Sequence, residues 1–585
     1  MSLNRRDLLR TSGAAAAAAA VVSPETADAA TPLRFAHEAD VVIVGAGAAG
    51  ITAAIVAREA GASVIVLEAE PHAGGHAMCS GGNVPHGGGT SIQKKYGIVD
   101  SPDLLFRDLT DWSVVESNGA ANYRYNDHEI IRAFADHSAP TFEFLLAHGV
   151  VFVDKAPDNL GGLSVGASIP REMHCAPVDW PLIQTGAPAP PAQRLTTSSG
   201  NGLMQPLIAA ARKAGVQILL EHRMTALHRP GGGRVTGVAA TNKGVHLDIG
   251  ARKAVIVATG GSTGNVEFRR MFDPRLTEEY CGLAGMPWSN QDASGELAGM
   301  AVGAALWGLA NHTGEFGWTI TKAGRIGCQY GYTNTTWEPG SPVFDRARAS
   351  GLRVADWQNL IMVNMIGNRF YDEAGPQFAA NNSDSQKNYV QNSWRNANEK
   401  PYKPNNFLNA ALAGIGDGHN GGGPIWAIFD ADGAAREKWT CEPPYVDYAE
   451  GFFFSAPTIG ELASKIVMKH QRVPMPPAAL ERTVARYNGF VDAGKDTDFD
   501  KAAPKYKIAR GPFYAAWATP VVHDTRAGLR INGRCQVVDM GGKVIPGLYC
   551  GGETAGGFSQ HGLARATCQG FIAGHEAVGA TVKRA

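Results

Sequence analysis

The chain has 585 residues, with 53 Lys+Arg against 54 Asp+Glu and a formal net charge of −1. Its length exceeds a single core of about 250–300 residues, and a hydrophobic content of 44% excludes a disordered chain. The charge balance leaves no global field for nucleic acid, and eight cysteines without a C-x-x-C pair exclude a disulfide scaffold, a zinc knuckle and an attached c-type haem.

The chain opens with Asn4-Arg5-Arg6-Asp7-Leu8-Leu9-Arg10, an alanine run from Ala14 to Ala20, and the small-x-small site Ala27-Asp28-Ala29. A basic start, a short apolar stretch and such a site describe a secretory signal over residues 1–29. The stretch is shorter than the roughly 20 residues of a spanning helix. Its arginine pair resembles the twin-arginine signal, whose machinery passes folded proteins. A periplasmic or secreted protein, exported folded with its cofactor loaded, is the expectation.

Residues 39–44 form an apolar, β-branched run suited to a buried parallel strand. Gly45-Ala46-Gly47-Ala48-Ala49-Gly50 follows, then a helical pattern through Ile51, Ala54 and Ile55, and a second strand over 63–67 that ends at Glu68. In this arrangement Gly45 permits a tight turn, Gly47 admits a pyrophosphate, and Gly50 lets helix approach strand. Ala48 and Ala49 begin a helix whose unpaired N–H groups attract phosphate. Glu68, eighteen residues past Gly50, is in position to accept the ribose hydroxyls. The unit predicts a dinucleotide. A second glycine loop, Gly74-Gly75-His76-Ala77-Met78-Cys79-Ser80-Gly81-Gly82, selects FAD over NAD. These loops take up part of a glycine excess: the chain has 71 glycines, about 12% where roughly 7% is usual.

At this loop the chain resembles the fumarate reductase and succinate dehydrogenase flavoprotein superfamily, and within it the 3-ketosteroid dehydrogenase branch. Similar segments recur in order: helix starts at Ser101 and Asn126, a helix over 202–215, Ala258-Thr259-Gly260-Gly261, Val363-Asn364 with Gly367 and Arg369-Phe370, Gly511-Pro512-Phe513-Tyr514, and Gly551-Gly552-Glu553. The resemblance implies an α/β fold, a discontinuous Rossmann-type FAD-binding domain over 33–275 and 520–585 with an inserted α+β cap over 276–519. It implies further cofactor contacts from Gly75, His76, Ser80, Gly81, Gly82, Met224, Ala258, Thr259, Gly260, Gly552, Glu553, Gly562 and Leu563. Gly570 to Gly574 are expected to open the last helix.

The family's fumarate reductases carry a catalytic arginine where this chain has Gln377, and a His-His-Thr string where it reads His523-Asp524-Thr525. Their late substrate arginine is displaced here to Arg565. Eight of eleven tryptophans fall between Trp288 and Trp439, joined by Phe316, Tyr330 and Tyr332. Such residues serve either core packing or a pocket for a cyclic apolar ligand.

The resulting expectation is an FAD-dependent dehydrogenase of a cyclic or aromatic small molecule, with hydride passing to the flavin and a proton to a base. Tyr514 is the first candidate base, followed by His523 with Asp524, while His561 and Arg565 stand near the far end of the flavin ring. A separate cytochrome or quinone accepts the electrons, because no NAD site is evident. The alternatives are reduction of an activated C=C bond and non-catalytic flavin binding. A hydrolase reading rests on His86-Gly87-Gly88-Gly89 and on Gly260-Gly261-Ser262-Thr263-Gly264, which fits G-x-S-x-G.

Overall fold

The computed structural model describes residues 34–110, 126–158, 168–178, 200–272, 276–279, 281–282, 289–307, 318–321, 325–328, 351–370, 372–374, 423–519, 521–558 and 562–580. The segment expected to be a signal, Trp288, Phe316, Tyr330, Tyr332, Gln377 and His561 lie outside these residues, as do the side chains of His523 and Asp524.

Strand β1 (His37–Val44), helix α1 (Ala48–Glu59) and strand β2 (Val64–Leu67) form the expected βαβ unit. β1 and β2 are parallel, with Val41 opposite Val64. Next come β3 (Asn83–Pro85), α2 (Pro102–Thr110), α3 (His128–Ala147), β4 (Glu172–His174) and α4 (Gly200–Lys213). The Asp127 carboxylate caps α3 by accepting from Ile130 N at 3.0 Å. Strands β5 (Gln217–Leu219), β6 (His222–His228), β7 (Gly237–Asn242) and β8 (Val245–Val257) extend the sheet. Helix α5 (Ser294–Ala301) follows. Ala298 and Ala304, in the stretch that the sequence assigns to the cap, pack into the nucleotide-domain core.

The cap is built on an antiparallel sheet, in which β9 (Ile361–Val363), β10 (Trp426–Asp430), β12 (Phe513–Trp517) and β11 (Phe453–Ala456) lie side by side in that order. Alternation along β10 sends Trp426 and Ile428 to one apolar layer and Ala427 and Phe429 to the other. Helix α6 (Pro477–Ala493) covers the first layer with Leu480, Val484 and Tyr487. Trp357 and Trp426 are core residues, 4% and 0% exposed, so these two support packing rather than a ligand pocket. A buried charge cluster sits beneath α6: Arg369 reaches Glu373 at 2.8 Å and Asp496 at 2.9 Å, and Lys501 lies 3.3 Å from Glu373. Burial alone raises the Glu373 carboxyl, but Arg369 and Lys501 outweigh it and hold the group at about 2.

After the cap the chain returns through β13 (Val521–Thr525), β14 (Gln536–Val538) and β15 (Val544–Cys550) to α7 (Leu563–Val578). β15 pairs in parallel with β8, completing the order β14-β15-β8-β1-β2-β5, with β7 and β6 antiparallel beyond β8. The last helix begins at Leu563, not in the stretch Gly570 to Gly574 as expected. Those glycines lie mid-helix against α1: a Cβ on Gly570 would sit 2.2 Å from the Ala49 carbonyl oxygen, and one on Gly574 2.8 Å from that of Ala53. They are there for close helix–helix approach, not for a turn.

Seven cysteines among the described residues are buried. No described helix is long and apolar enough to cross a membrane.

Gly570→Val is expected to cost about 3 kcal/mol or more, because backbone must move to admit the side chain. Gly489→Ala, on the exposed side of α6 with nothing within 4 Å of its Cβ, should instead gain about 0.5–1 kcal/mol. Thermal or denaturant unfolding of the two variants measures the contrast.

Candidate active site

Main chain from three loops converges at the carboxyl ends of β1 and β8. Gly45 has φ 104°, and a Cβ there would lie 2.2 Å from the Ala258 carbonyl oxygen. Gly50 is equally confined, 1.9 Å from the Gly45 oxygen. Gly47 differs: its nearest neighbour is Gly75 Cα at 3.7 Å, and it begins α1 without a side-chain cap. Gly75 has φ 55°, and a Cβ on it would stand 2.9 Å from Gly47 Cα. Gly74 N donates to Ala46 O at 2.9 Å, so the two glycine loops are tied together. The first N–H groups of α1, beside Ala48 and Ala49, thus open on a surface with few side-chain atoms, which suits a pyrophosphate.

Glu68 stands at the end of β2, 6% exposed. Its carboxylate accepts from Ala46 N at 2.8 Å and Glu70 N at 2.9 Å. Burial outweighs these bonds and pushes the carboxyl up to about 7. His222 N donates to Glu68 O at 2.8 Å, which sets β6 and its buried Met224 beside this corner.

The second loop is locked by Ser80, whose hydroxyl donates to Ala77 O at 2.9 Å and accepts from Gly82 N at 3.3 Å. Gly81 lies between them, and Gly82 O accepts from Cys175 N at 2.9 Å. The third corner joins Ala258-Thr259-Gly260 to the turn after β15. Ala258 N donates to Val44 O at 2.8 Å, Thr554 Oγ1 donates to Gly260 O at 2.9 Å, and the Thr259 and Thr554 hydroxyls lie 3.3 Å apart. Gly552, at φ 75°, donates its N–H to Gln569 Oε1 at 2.8 Å. Gly562, at φ 79°, opens α7 at Leu563, again without a side-chain cap.

Between the second and third loops lies a polar cluster that sequence reasoning found only in part. Gln291 Nε2 donates to Glu553 Oε2 at 2.9 Å and lies 2.5 Å from His76 Nδ1, which is itself 3.6 Å from Glu553. Gln291 is 1% exposed and has φ 51°. Its only sequence signal is the polar run Ser289-Asn290-Gln291-Asp292 ahead of a helix. The other Glu553 oxygen accepts from Thr525 N at 3.3 Å.

Of the catalytic candidates, Arg565 is 2% exposed and turned inward. Its guanidinium donates to the carbonyls of Phe558 at 2.9 Å, Gly552 at 2.9 Å, Ala555 at 2.7 Å and Thr525 at 3.4 Å. Tyr514 stands on β12 in the cap, its ring 5.1 Å from Phe429 and 5.6 Å from Phe453. Burial, with Cys441 and Glu442 nearby, raises its hydroxyl. Both of these ring neighbours belong to the cap. The backbone of His523 and Asp524 lies in β13 and leads directly into Thr525.

The hydrolase strings are structural. His86 is buried between Ser138 Oγ at 2.9 Å and Thr567 Oγ1 at 3.1 Å, and burial lowers its pKa to about 3. Ser262 is fully buried, and its N–H donates to Thr525 Oγ1 at 2.9 Å.

Two uncapped helix starts, a carboxylate at the tip of β2 and loops held at glycine distance form a dinucleotide-binding oxidoreductase site. The family model described as FAD binding domain matches residues 40–568, and the chain belongs to that family. It is an FAD-dependent oxidoreductase. A fumarate reductase (cytochrome) of Shewanella frigidimarina is 29% identical over 532 residues, covering 90% of this chain and 73% of the relative. A 3-oxosteroid 1-dehydrogenase of Mycolicibacterium smegmatis is 26% identical over 597 residues, covering 89% and 92%. The open conformation of a flavocytochrome c3 fumarate reductase shares the fold with a TM-score of 0.61 at 23% identity, covering 99% of this chain and 81% of that one.

One buried group contributes nothing to these bonds. Glu296, on α5, is 0% exposed, and neither carboxylate oxygen has a hydrogen-bond partner among the described residues. Burial first, then Asp292 and Glu553, keep it protonated well above the usual carboxylate range. A carboxyl raised on folding lowers stability as pH climbs past the unfolded value near 4.5. Glu296→Leu should therefore stabilise the protein by about 1–3 kcal/mol at pH 7, with a smaller gain at pH 4.5, as read from unfolding curves across that range. Glu68→Gln should weaken FAD binding about 10- to 100-fold, since its amide turns a donor toward an amide N–H. Flavin-fluorescence titration of stripped protein reads that loss.

Proposed function

We propose that the protein is an exported dehydrogenase that removes two hydrogens from neighbouring atoms of a cyclic, mostly apolar small molecule and passes the electrons to a separate cytochrome or quinone. The observation that carries this reading over dicarboxylate reduction is the commitment of Arg565 to four main-chain carbonyls. A dianion needs fixed, outward bidentate cations, and this one spends its donors on the protein. The similarity to a 3-oxosteroid 1-dehydrogenase supports the same direction. The fumarate reductase relative supports a second reading, reduction of an activated C=C bond. Arg5-Arg6 and the alanine run support export through the twin-arginine machinery.

Bound FAD supplies the hydride acceptor and the store for two electrons. Gly45, Gly47, Gly50 and Gly75 hold its phosphates by main chain, and Glu68 takes the ribose. Glu553, oriented by Gln291 and Thr525 N, holds the ribityl chain. Arg565 acts as a positioning residue: it fixes the carbonyls of Gly552, Ala555 and Phe558. His523 is preferred to Tyr514 as proton acceptor. Its strand continues into Thr525, which is bonded to Glu553, Ser262 and Arg565, whereas the ring neighbours of Tyr514 belong to the cap.

Anaerobic mixing separates the readings. A dehydrogenase bleaches its yellow flavin with a 3-ketosteroid or similar cyclic donor alone. A reductase bleaches only with an external reductant, and an olefin then restores the colour. His523→Gln should slow the donor-driven bleaching at least about 100-fold, while Tyr514→Phe changes it less than about threefold. The reverse order moves the base to the cap.

A further inference from the structure

Beside the flavin loop, outside the cofactor cradle, three unlike ligand groups converge on one small volume. Glu172 and His174 are two apart on β4 and therefore project from the same face of that strand. Asp158 belongs to the neighbouring segment and forms a β-bridge directly opposite Glu172, with Glu172 N donating to Asp158 O at 2.9 Å. His174 Nε2 lies 2.9 Å from Asp158 Oδ2 and 3.9 Å from Glu172 Oε1. One ligand atom from each residue falls within 4.8 Å of the other two. A cluster of this kind is often no more than a buried ion pair. Here a second observation points to a ligand: the Glu172 side chain is 0% exposed, its Oε1 accepts from Asn83 at 2.5 Å, and its Oε2 has no partner among the described residues. A fully buried, unpaired carboxylate oxygen costs about 1–3 kcal/mol, and a cation gripped by both oxygens of this carboxylate removes that cost.

We propose that Asp158, Glu172 and His174 form a structural site for a first-row divalent cation, with Zn²⁺ as its best occupant. One imidazole and two carboxylates suit Zn²⁺, which takes nitrogen and oxygen ligands at about 2.0–2.2 Å. Such bonds set tetrahedral ligands about 3.3 Å apart, between the 2.9 and 3.9 Å separations of His174 Nε2 from its two carboxylate partners. The change required is at most about 1.5 Å between any two ligand atoms, since all three lie within 4.8 Å of one another, and side-chain torsions supply it. Lys155, which donates to Asp158 Oδ2 at 2.8 Å and is 43% exposed, swings to solvent as the metal takes that oxygen. Water completes the shell on the Asp158 side, the most exposed of the three. The ion then fastens the segment carrying Asp158 to the antiparallel β3–β4 pair, which is bonded through Cys175 N to Gly82 O of the flavin loop. The site makes no contact with substrate, and its role is to hold that loop from behind.

The test uses untagged, flavin-loaded protein, stripped with a chelator and desalted, then titrated with ZnCl₂ and separately with MnCl₂. The proposal expects one tightly bound Zn²⁺ per chain by elemental analysis and calorimetry, with Mn²⁺ weaker, and a melting temperature about 2–4 °C higher at saturation. Glu172→Gln and Asp158→Asn, which keep shape and hydrogen bonding, should weaken Zn²⁺ at least 100-fold and abolish the shift, while flavin absorbance stays unchanged. His174→Ala should do the same, and Glu172→Gln decides the matter if that variant fails to fold. Less than 0.1 equivalent bound at 100-fold excess, or equal binding by wild type and both conservative variants, overturns the site.

Discussion

Main chain packed on main chain at the carboxyl ends of β1 and β8 is the constraint from which the rest of the molecule follows. Gly45 lies against the Ala258 carbonyl, Gly50 against Gly45, Gly75 against Gly47, and Gly570 against Ala49. Each contact excludes a side chain on steric grounds alone. The consequence is a binding surface whose donors are amide groups fixed by the sheet rather than side chains that choose rotamers. Such donors need little reorganisation when a phosphate arrives. The helix crossing of α1 and α7 then carries this rigidity to Gly562 and Leu563 at the other end of the cofactor loops.

Buried charge divides the molecule into two electrostatic regimes. In the cap, Arg369, Glu373, Asp496 and Lys501 satisfy one another, and Glu373 stays ionised despite complete burial. Around the cofactor loops the acids Glu68 and Glu296 are pushed toward neutrality, because burial is not matched by a cation. The buried Arg565 guanidinium is spent on carbonyls. That choice stabilises a loop with poor secondary structure of its own.

The nucleotide unit was legible in the sequence because its chemistry is local. Strand, glycines, helix and Glu68 lie within some thirty consecutive residues, and each residue's duty follows from its position in that unit. The last helix was misread at Gly570 and Gly574, because glycine signals both turns and close packing, and only the partner helix decides between them. Gln291 was invisible for a related reason: its partners His76 and Glu553 are more than two hundred residues away in either direction. Tyr514 was legible as a motif, while its surroundings were not, since β12 takes them from β10 and β11 rather than from sequence neighbours. The inward turn of Arg565 likewise depends on the path of the Gly552–Phe558 loop, which no periodicity encodes.

The cap has its own pair of apolar layers and its own charge cluster, and neither shares a residue with the core beneath the cofactor loops. A lineage can therefore remodel the cap while the glycine contacts of the nucleotide unit stay fixed. For protein engineering this divides the chain into a portion to randomise and a portion to leave alone. Exchange of residues 326–518 with those of a relative's cap keeps both apolar layers in one piece.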